Sequence, residues 1–546
     1  MKKRISILLA VVSMVGLVAF QTPADNYFQV AKSLEIFASI FKEINTHYVD
    51  EVDPKKLVNT GIQGMLESLD PYTDYIAEEN VEAFTQQMTN EYAGIGAMIG
   101  IVNKKTVVTY PYENFPAHRS GLRVGDEFIM VDGKNVRGKA SSEISALLKG
   151  SPRSDIKVVV NRQGQELSFT MRREKIKINN IAYSGLAEPG VGYIKLDDFT
   201  PMAAREVEAA VVQLKQQGAT KLIIDLRDNP GGILEEAVGI VGLFIPRGKE
   251  VVSTRGKAKE SFKTYNTSGA PIDVQIPIAV LTSGGSASAA EIVAGSLQDY
   301  DRAVLIGQKT FGKGLVQSTV PLPYNAKLKV TSAKYYIPSG RCIQALDYAH
   351  RKSNGAVEKF ADSLKSSFRT ANGRTVYDGG GLDPDIAIKP EQYSTALIEL
   401  VQEGLIFEYA SVYCNAHTLA GSYRDFKLTD QEYKAFENWL QTQHFTYVTD
   451  LEKQTDELIK IAKTEKYYNE LQENLNLIKA QVEQSYVGFS GRFKQEIKQL
   501  LEEEIAFHAG LNKGKTEVSF DRDPEITEAR RILKDVAGYK KLLSPH

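Results

Sequence analysis

The spacing of apolar positions changes character several times along the chain. Phe37, Ile40, Phe41, Ile44 and Tyr48 recur at helical intervals and define one helix face. A second helix is expected after Asp53-Pro54, running to about Leu69, where Asp70-Pro71 stops it. From Tyr92 onward Gly94, Gly96 and Gly100 punctuate an apolar stretch. Thr106–Tyr110, Glu127–Val131, Ile156–Asn161 and Glu166–Met171 then read as short strands, with turns at Gly125-Asp126 and Asp132-Gly133 and one helix over Ser142–Leu148. From about residue 190 strands and helices alternate. Val191–Leu196, Leu222–Leu226, Ile278–Thr282 and Ala303–Ile306 are strand-like; Leu234, Val238 and Val241, then Val293, Leu297 and Tyr300, line helices. That alternation implies βαβ units. Lys327–Ile337 adds a period-two strand. After Pro390 the chain turns helical and charged, with apolar stripes at Leu471, Leu475, Ile478 and Val482 and at Ile497, Leu500, Leu501 and Ile505.

These changes of period divide the chain into a leading segment 1–24, a helical region 25–90, a β-rich module 91–177, an α/β core 178–390 and a helical region 391–546. The fold class expected is α/β multidomain. The leading segment carries Lys2, Lys3 and Arg4 before an apolar run from Ile5 to Phe20, short for a spanning helix. Export to the periplasm is expected. Cleavage near Ala19–Ala24 and retention as an inner-membrane anchor are both open. Lys plus Arg (66) nearly cancels Asp plus Glu (68), so a nucleic-acid partner is not expected. Cys342 and Cys414 are too few for a disulfide framework; they pair with each other or stay free thiols. With 7 His and no HExxH, a zinc hydrolase is disfavoured.

Three stretches of the core carry chemistry. Asp225-Leu226-Arg227-Asp228-Asn229-Pro230-Gly231-Gly232 joins a strand to a helix, where glycines let backbone N–H groups approach a ligand. It also reads as an ordinary βα turn. Gly284-Gly285-Ser286-Ala287-Ser288-Ala289-Ala290-Glu291 offers serines at a second strand–helix junction, or a plain capping box of Ser288 with Glu291. Gly307–Gly314 nearly matches a phosphate-binding loop, but Gly314 stands where a Ser or Thr is needed and a β-like run follows instead of a helix. A serine nucleophile needs a base, and no His has a suitable context. Lys313, between two glycines, can serve if burial lowers it from the usual ~10.4 toward ~7–8. Ser154–Lys157 is an SxxK match without the companion motifs, at a strand start where Lys157 would be solvated.

Taken together, Asp225–Gly232, Ser286–Glu291 and Thr310–Gln317 resemble, in order, the DLRxNxGG, SASAxE and TFGKGxVQ segments of the carboxyl-terminal processing (tail-specific) serine peptidases of bacteria and chloroplasts. Tyr48–Asp50 and Gly64–Pro71 look like that family's helical preface, and the resemblance covers about residues 35–390. It implies an α/β peptidase core with an inserted PDZ-like module. It implies Ser288 as nucleophile, Lys313 as its base and Gln317 as the residue positioning the lysine. The 25-residue interval from Ser288 to Lys313 is the family's own. The backbone N–H groups of Gly232 and Ala289 become the oxyanion hole, with Gly231 as fallback because Pro230 has no N–H. Gly94, Ile95 and Gly96 become the PDZ carboxylate-binding loop, and Pro116–Leu122 with Val124-Gly125-Asp126 match a further PDZ stretch.

The function this implies is an exported serine endopeptidase that binds and cleaves polypeptides near their C-termini, with no metal or organic cofactor. Its partners are polypeptides with accessible C-termini. Membrane association through the N-terminal segment and a homodimer through the terminal helices stay open. The rivals are a catalytically silent PDZ scaffold, an esterase or amidase on the same dyad, and, remotely, a P-loop ATPase. An insertion-like stretch at about 349–377 and the region after 390 have no counterpart in the resemblance.

Overall fold

A computed structural model describes residues 23–352, 355–419, 421–443, 445, 450–486, 491 and 493–545. The apolar run Ile5–Phe20 and the side chain of Val482 lie outside the described residues. No helix among the described residues is long and apolar enough to cross a membrane. The chain divides into two compact units, one ending at Tyr75 and one beginning at Ile76.

The first unit contains helices α1 (Pro23–His47) and α2 (Pro54–Glu67). Asp53 starts α2 as foreseen, its carboxylate accepting from the Lys55 and Lys56 N–H groups at 2.9 and 3.2 Å. The expected face of α1 is only thinly covered: Phe37, Ile40 and Tyr48 remain exposed. Helical spacing places these residues together but does not specify what they pack on.

The β-rich module comprises β1 (Glu91–Gly94), β2 (Ala97–Val102), β3 (Lys105–Pro111), β4 (Glu127–Val131), α3 (Ser141–Leu148), β5 (Asp155–Arg162), β6 (Gln165–Arg172) and β7 (Glu174–Lys177). Strands β2-β3-β4-β5-β6 form an antiparallel sheet, and β1 pairs with β7. Ile95, Val108, Phe128, Ile144, Val158 and Val160 fill its core. The alternation of Ile156, Val158 and Val160 on β5 is the period-two signal the sequence carries.

The α/β core comprises β8 (Ile181–Glu188), β9 (Val191–Leu196), α4 (Ala203–Gln216), β10 (Lys221–Asp225), α5 (Leu234–Gly242), β11 (Glu250–Gly256), β12 (Lys263–Asn266), β13 (Ile278–Thr282), α6 (Ala289–Asp299), β14 (Ala303–Gly307), β15 (Leu315–Pro321), β16 (Lys327–Tyr336) and β17 (Ile386–Ala387). The main sheet runs β8-β9-β10-β13-β14-β17, parallel except for the β8–β9 pair. The remaining strands build an antiparallel layer through the pairs β11–β12, β11–β16 and β15–β16. The insertion is tied to this core. Arg374 is buried between Asp301 (2.6 Å) and Asp385 (2.5 Å), just past the main-sheet edge.

A parallel sheet must be covered on both faces. One face packs Ile194, Leu222, Ile224, Val280 and Leu305 against α4, α5 and α6. The alternate residues Tyr193, Ile223, Ala279, Leu281, Val304 and Ile306 pack against Phe520, Ile526, Ala529 and Leu533. The helical region consists of α7 (Thr395–Gln402), α8 (Leu405–Ala416), α9 (Asp430–Thr442), α10 (Asp450–Thr464), α11 (Tyr468–Tyr486), α12 (Lys494–Ser519), α13 (Pro524–Lys534) and α14 (Val536–Leu542). Its last helices are therefore the second cover of the main sheet. Arg227, in the first chemistry-bearing stretch, fastens them. Its guanidinium binds Asp225 at 2.5 Å and reaches Asp523 (2.6 Å) and Glu525 (3.0 Å) at the start of α13.

Burial pushes the Asp225 carboxyl up, but Arg227 and then Lys195 outweigh it and hold the group well below the usual carboxylate range. A depressed carboxyl stabilises the fold above its unfolded value and loses that contribution as pH falls toward the folded one. Arg227→Met therefore costs on the order of 3 kcal/mol in denaturant unfolding at neutral pH. It also moves the acid-unfolding midpoint to higher pH, as followed by circular dichroism.

Candidate active site

The Asp225–Gly232 turn leaves the carboxyl end of β10. Asn229, fully buried, connects three segments there. Its Nδ2 donates to the Leu196 carbonyl (2.7 Å), its Oδ1 accepts from Gly231 N–H (2.8 Å), and its carbonyl accepts from Ala287 N–H (2.9 Å). Gly231 has φ +96°, and a Cβ there would fall 2.7 Å from the Ser288 Cβ and 2.8 Å from the Ala289 nitrogen. Only glycine lets the two turns approach so closely.

The second turn follows β13 and opens α6. Ser286 is buried and satisfied. Its hydroxyl donates to the Leu226 carbonyl (2.7 Å) and accepts from Ser283 N–H (2.9 Å). Ser288 differs. It is partly exposed and held at φ 54°, ψ −115°. A non-glycine residue in such a conformation costs about 1–3 kcal/mol, strain that concentrates at functional sites. The Tyr335 hydroxyl donates to the Ser288 carbonyl at 3.2 Å.

The third segment is joined to the second through Glu291. This fully buried side chain sits on the first turn of α6. Its Oε2 accepts from Ser288 N–H and from Lys313 N–H, each at 2.9 Å. The two backbone nitrogens therefore lie within twice that distance of one another. Its Oε1 accepts from the Thr310 hydroxyl (2.6 Å) and Gly312 N–H (2.8 Å). The capping box expected of Ser288 and Glu291 thus has its return bond, from the Ser288 N–H, while the same carboxylate also organises the lysine loop. Sequence reasoning reached Glu291 only as a cap. The signal for more was a lone acid among Ala289, Ala290, Ile292, Val293 and Ala294, which are all buried.

Burial pushes the Glu291 carboxyl up to about 7, against the opposing pull of the Thr310 hydroxyl and the backbone N–H groups of Lys313, Gly312 and Ser288.

The N–H groups of Gly232 and Ala289 have no acceptor among the described residues, whereas Gly231 N–H is taken by Asn229. Gln317 lies on β15, its Nε2 donating to the Thr331 hydroxyl at 3.2 Å. In the β-rich module Gly94 ends β1, and Ile95 and Gly96 connect it to β2, with Gly96 at φ +74°. Lys157 is exposed, and the phosphate-loop-like Gly307–Gly314 runs into strand β15. Cys342 and Cys414 are separate free thiols, and burial pushes Cys414 up to about 12. A polar cavity of about 580 Å³ adjoins the other side of the Asp225 turn, walled by Arg227, Asp228, Ser283 and the C-terminal helices; Ser288 and Lys313 are not among its walls.

Glu291→Gln keeps the volume but turns an amide NH₂ toward donors. Each buried donor left unmatched costs about 1–3 kcal/mol. The variant is expected to unfold at lower denaturant and to lose most activity, with Ser288 still present. Unfolding curves and rate measurements on the same preparation check this.

Family models match in chain order. "Activating protease CtpB N-terminal domain" covers residues 17–80, "PDZ domain" 107–162, "Peptidase family S41" 190–348, and "Probable PDZ-protease, C-terminal helical domain" 396–533. A carboxy-terminal-processing protease of Bartonella bacilliformis is 36% identical over 328 residues, 59% of this chain and 75% of that protein. A probable CtpA-like serine protease of Staphylococcus aureus is 35% identical over 313 residues, 57% of this chain and 62% of that one. The solved structure of a photosystem II D1 C-terminal processing protease aligns at 25% identity and TM-score 0.35, covering 67% of this chain and 96% of its own. With the three core segments in family order and a relative matched over three quarters of its length, the chain belongs to the carboxy-terminal-processing serine proteases of peptidase family S41.

Proposed function

We propose that this chain is an exported endopeptidase that cleaves polypeptides near their C-termini with a Ser288/Lys313 dyad. The Ser288 hydroxyl oxygen attacks the scissile carbonyl carbon while the neutral Lys313 amine takes its proton. The N–H groups of Gly232 and Ala289 hold the oxyanion that forms; one such donor is worth about 10²–10³ in rate. The intermediate collapses as Lys313 returns the proton to the leaving amine, and an acyl-enzyme remains on Ser288. Lys313 then deprotonates the water that releases it. Gln317 acts as a positioning residue for Lys313. The Gly94–Gly96 loop holds the substrate carboxylate, and the Lys2–Phe20 segment directs the chain to the periplasm.

The observation that carries this reading is the single Glu291 oxygen shared by the Ser288 and Lys313 backbones, next to a strained, partly exposed serine. Ser286, the other serine of the motif, has its hydroxyl committed to the Leu226 carbonyl.

Ser288→Ala is expected to lower cleavage of a tailed polypeptide by more than about 10⁴-fold, since removing a nucleophile disables the whole unit. Ser286→Ala leaves measurable turnover. Because the base must be neutral, the wild-type rate rises between pH 6 and 9, as followed by discontinuous peptide assay. A flat profile, or wild-type turnover by the Ser288 variant, contradicts the dyad. Preference for a small ester over the peptide favours the esterase alternative.

A further inference from the structure

Strand β2 is an anomaly as an edge. Among the described residues it pairs only with β3 and ends the sheet. All six of its residues, Ala97-Met98-Ile99-Gly100-Ile101-Val102, are apolar or glycine, and Met98 and Ile101 are 52% and 62% exposed. Soluble proteins blunt such edges with charges, prolines or short strands, because a bare apolar edge pairs with other chains. An uncharged edge of this kind is suited to receive a strand.

Its polarity is defined at one end. The Ile95 and Gly96 carbonyls accept from Ala117 and Tyr112, while the N–H groups of these residues meet no acceptor among the described residues. A carboxylate held there sends the rest of its chain antiparallel along β2, toward Val102. At that far end the helical region closes in. A Cβ on Gly404, at the α7–α8 junction, would stand 2.6 Å from Val102 Cγ1. Beside this contact lies a cavity of about 320 Å³ between Ile101 on β2 and Val401, Phe407, Leu500 and Glu504 on α7, α8 and α12. A strand advances ~3.4 Å per residue, so the tail residue reaching this cavity is about the fifth or sixth from the carboxyl end.

We infer that the helical region extends the PDZ-like groove, reading an apolar side chain of an extended substrate tail about five or six residues from its carboxyl terminus. This rests on the proposed capture of tails by the Gly94–Gly96 loop and adds a second recognition element from a different part of the chain. The walls are mostly aliphatic and aromatic; their polar members are Asn103, Gln402 and Glu504, and Glu504 is the only one that is charged, so a tail bearing Asp or Glu at that position is disfavoured.

The test uses the full chain carrying Ser288→Ala, so that bound peptides survive. It selects from a bead library of random ten-residue peptides with free carboxyl ends, alongside the same library amidated. The expected result is a carboxylate-dependent pattern in the last four residues, together with enrichment of apolar residues at the fifth or sixth position. Adding Val401→Glu, at an exposed site, abolishes the second enrichment and leaves the first intact. For an enriched peptide it weakens binding about tenfold, the scale of burying one apolar side chain. A carboxylate-dependent pattern confined to the last four positions, or an outer enrichment unchanged by Val401→Glu, overturns the inference alone. Identical selection from free and amidated libraries, or none from either, overturns capture by the loop and the inference with it.

Discussion

One buried carboxylate holds the candidate site together. Glu291 accepts hydrogen bonds from the Ser288 turn and from the Thr310–Lys313 loop, segments more than twenty residues apart in sequence. Without it, the Ser288 turn and the Thr310–Lys313 loop keep one direct backbone bond, Phe311 N–H to the Ser286 carbonyl (3.0 Å), and nothing ties the Ser288 N–H to the Lys313 N–H. The arrangement has an energetic cost. A carboxylate removed from water needs its hydrogen bonds, and four donors supply them. Ser288 in turn sits in a conformation that an isolated turn would not keep. Strained Ser288 and buried acid support each other, and both depend on Gly231, because a side chain there would separate the turns.

The main sheet imposes the second constraint. Its parallel strands present alternate residues to opposite faces. The connecting helices α4, α5 and α6 cover one face, while the other is covered by residues from the far end of the chain. Arg227 links the two problems. It belongs to the turn that approaches Ser288, yet its charge is spent on Asp225 within the core and on Asp523 and Glu525 of α13. The last helices thus complete the peptidase core, and other helices of the same region reach the β2 edge of the PDZ domain.

Much of this was legible in the sequence, and the gaps have physical causes. The period-two strand β5 and the fully buried β13 and β14 were placed within a residue or so, because burial on one face dictates alternation and burial on both leaves little choice of composition. The order of the three core motifs identified the peptidase. Contacts between distant segments were not legible. The helical periodicity of Ile497, Leu500, Leu501 and Ile505 marks an apolar face but cannot name Leu405 or Phe436 as part of the cluster it joins, and an insertion at 349–377 gives no sign that Arg374 will be buried between two aspartates. Glu291 was visible as a cap because that bond is local. Its bonds to Gly312 and Lys313 were hidden because they are not. The face of α1 was read correctly as apolar, though most of it stays uncovered.

The central claim is that Ser288, and no other serine, is activated by Lys313. The most direct measurement is intact-mass and peptide mapping after reaction with a serine-directed fluorophosphonate. A single adduct on Ser288, forming faster as pH rises and lost in Lys313→Ala, is the predicted result. Labelling of Ser286, or labelling of Ser288 at an unchanged rate when Lys313 is removed, would contradict the account.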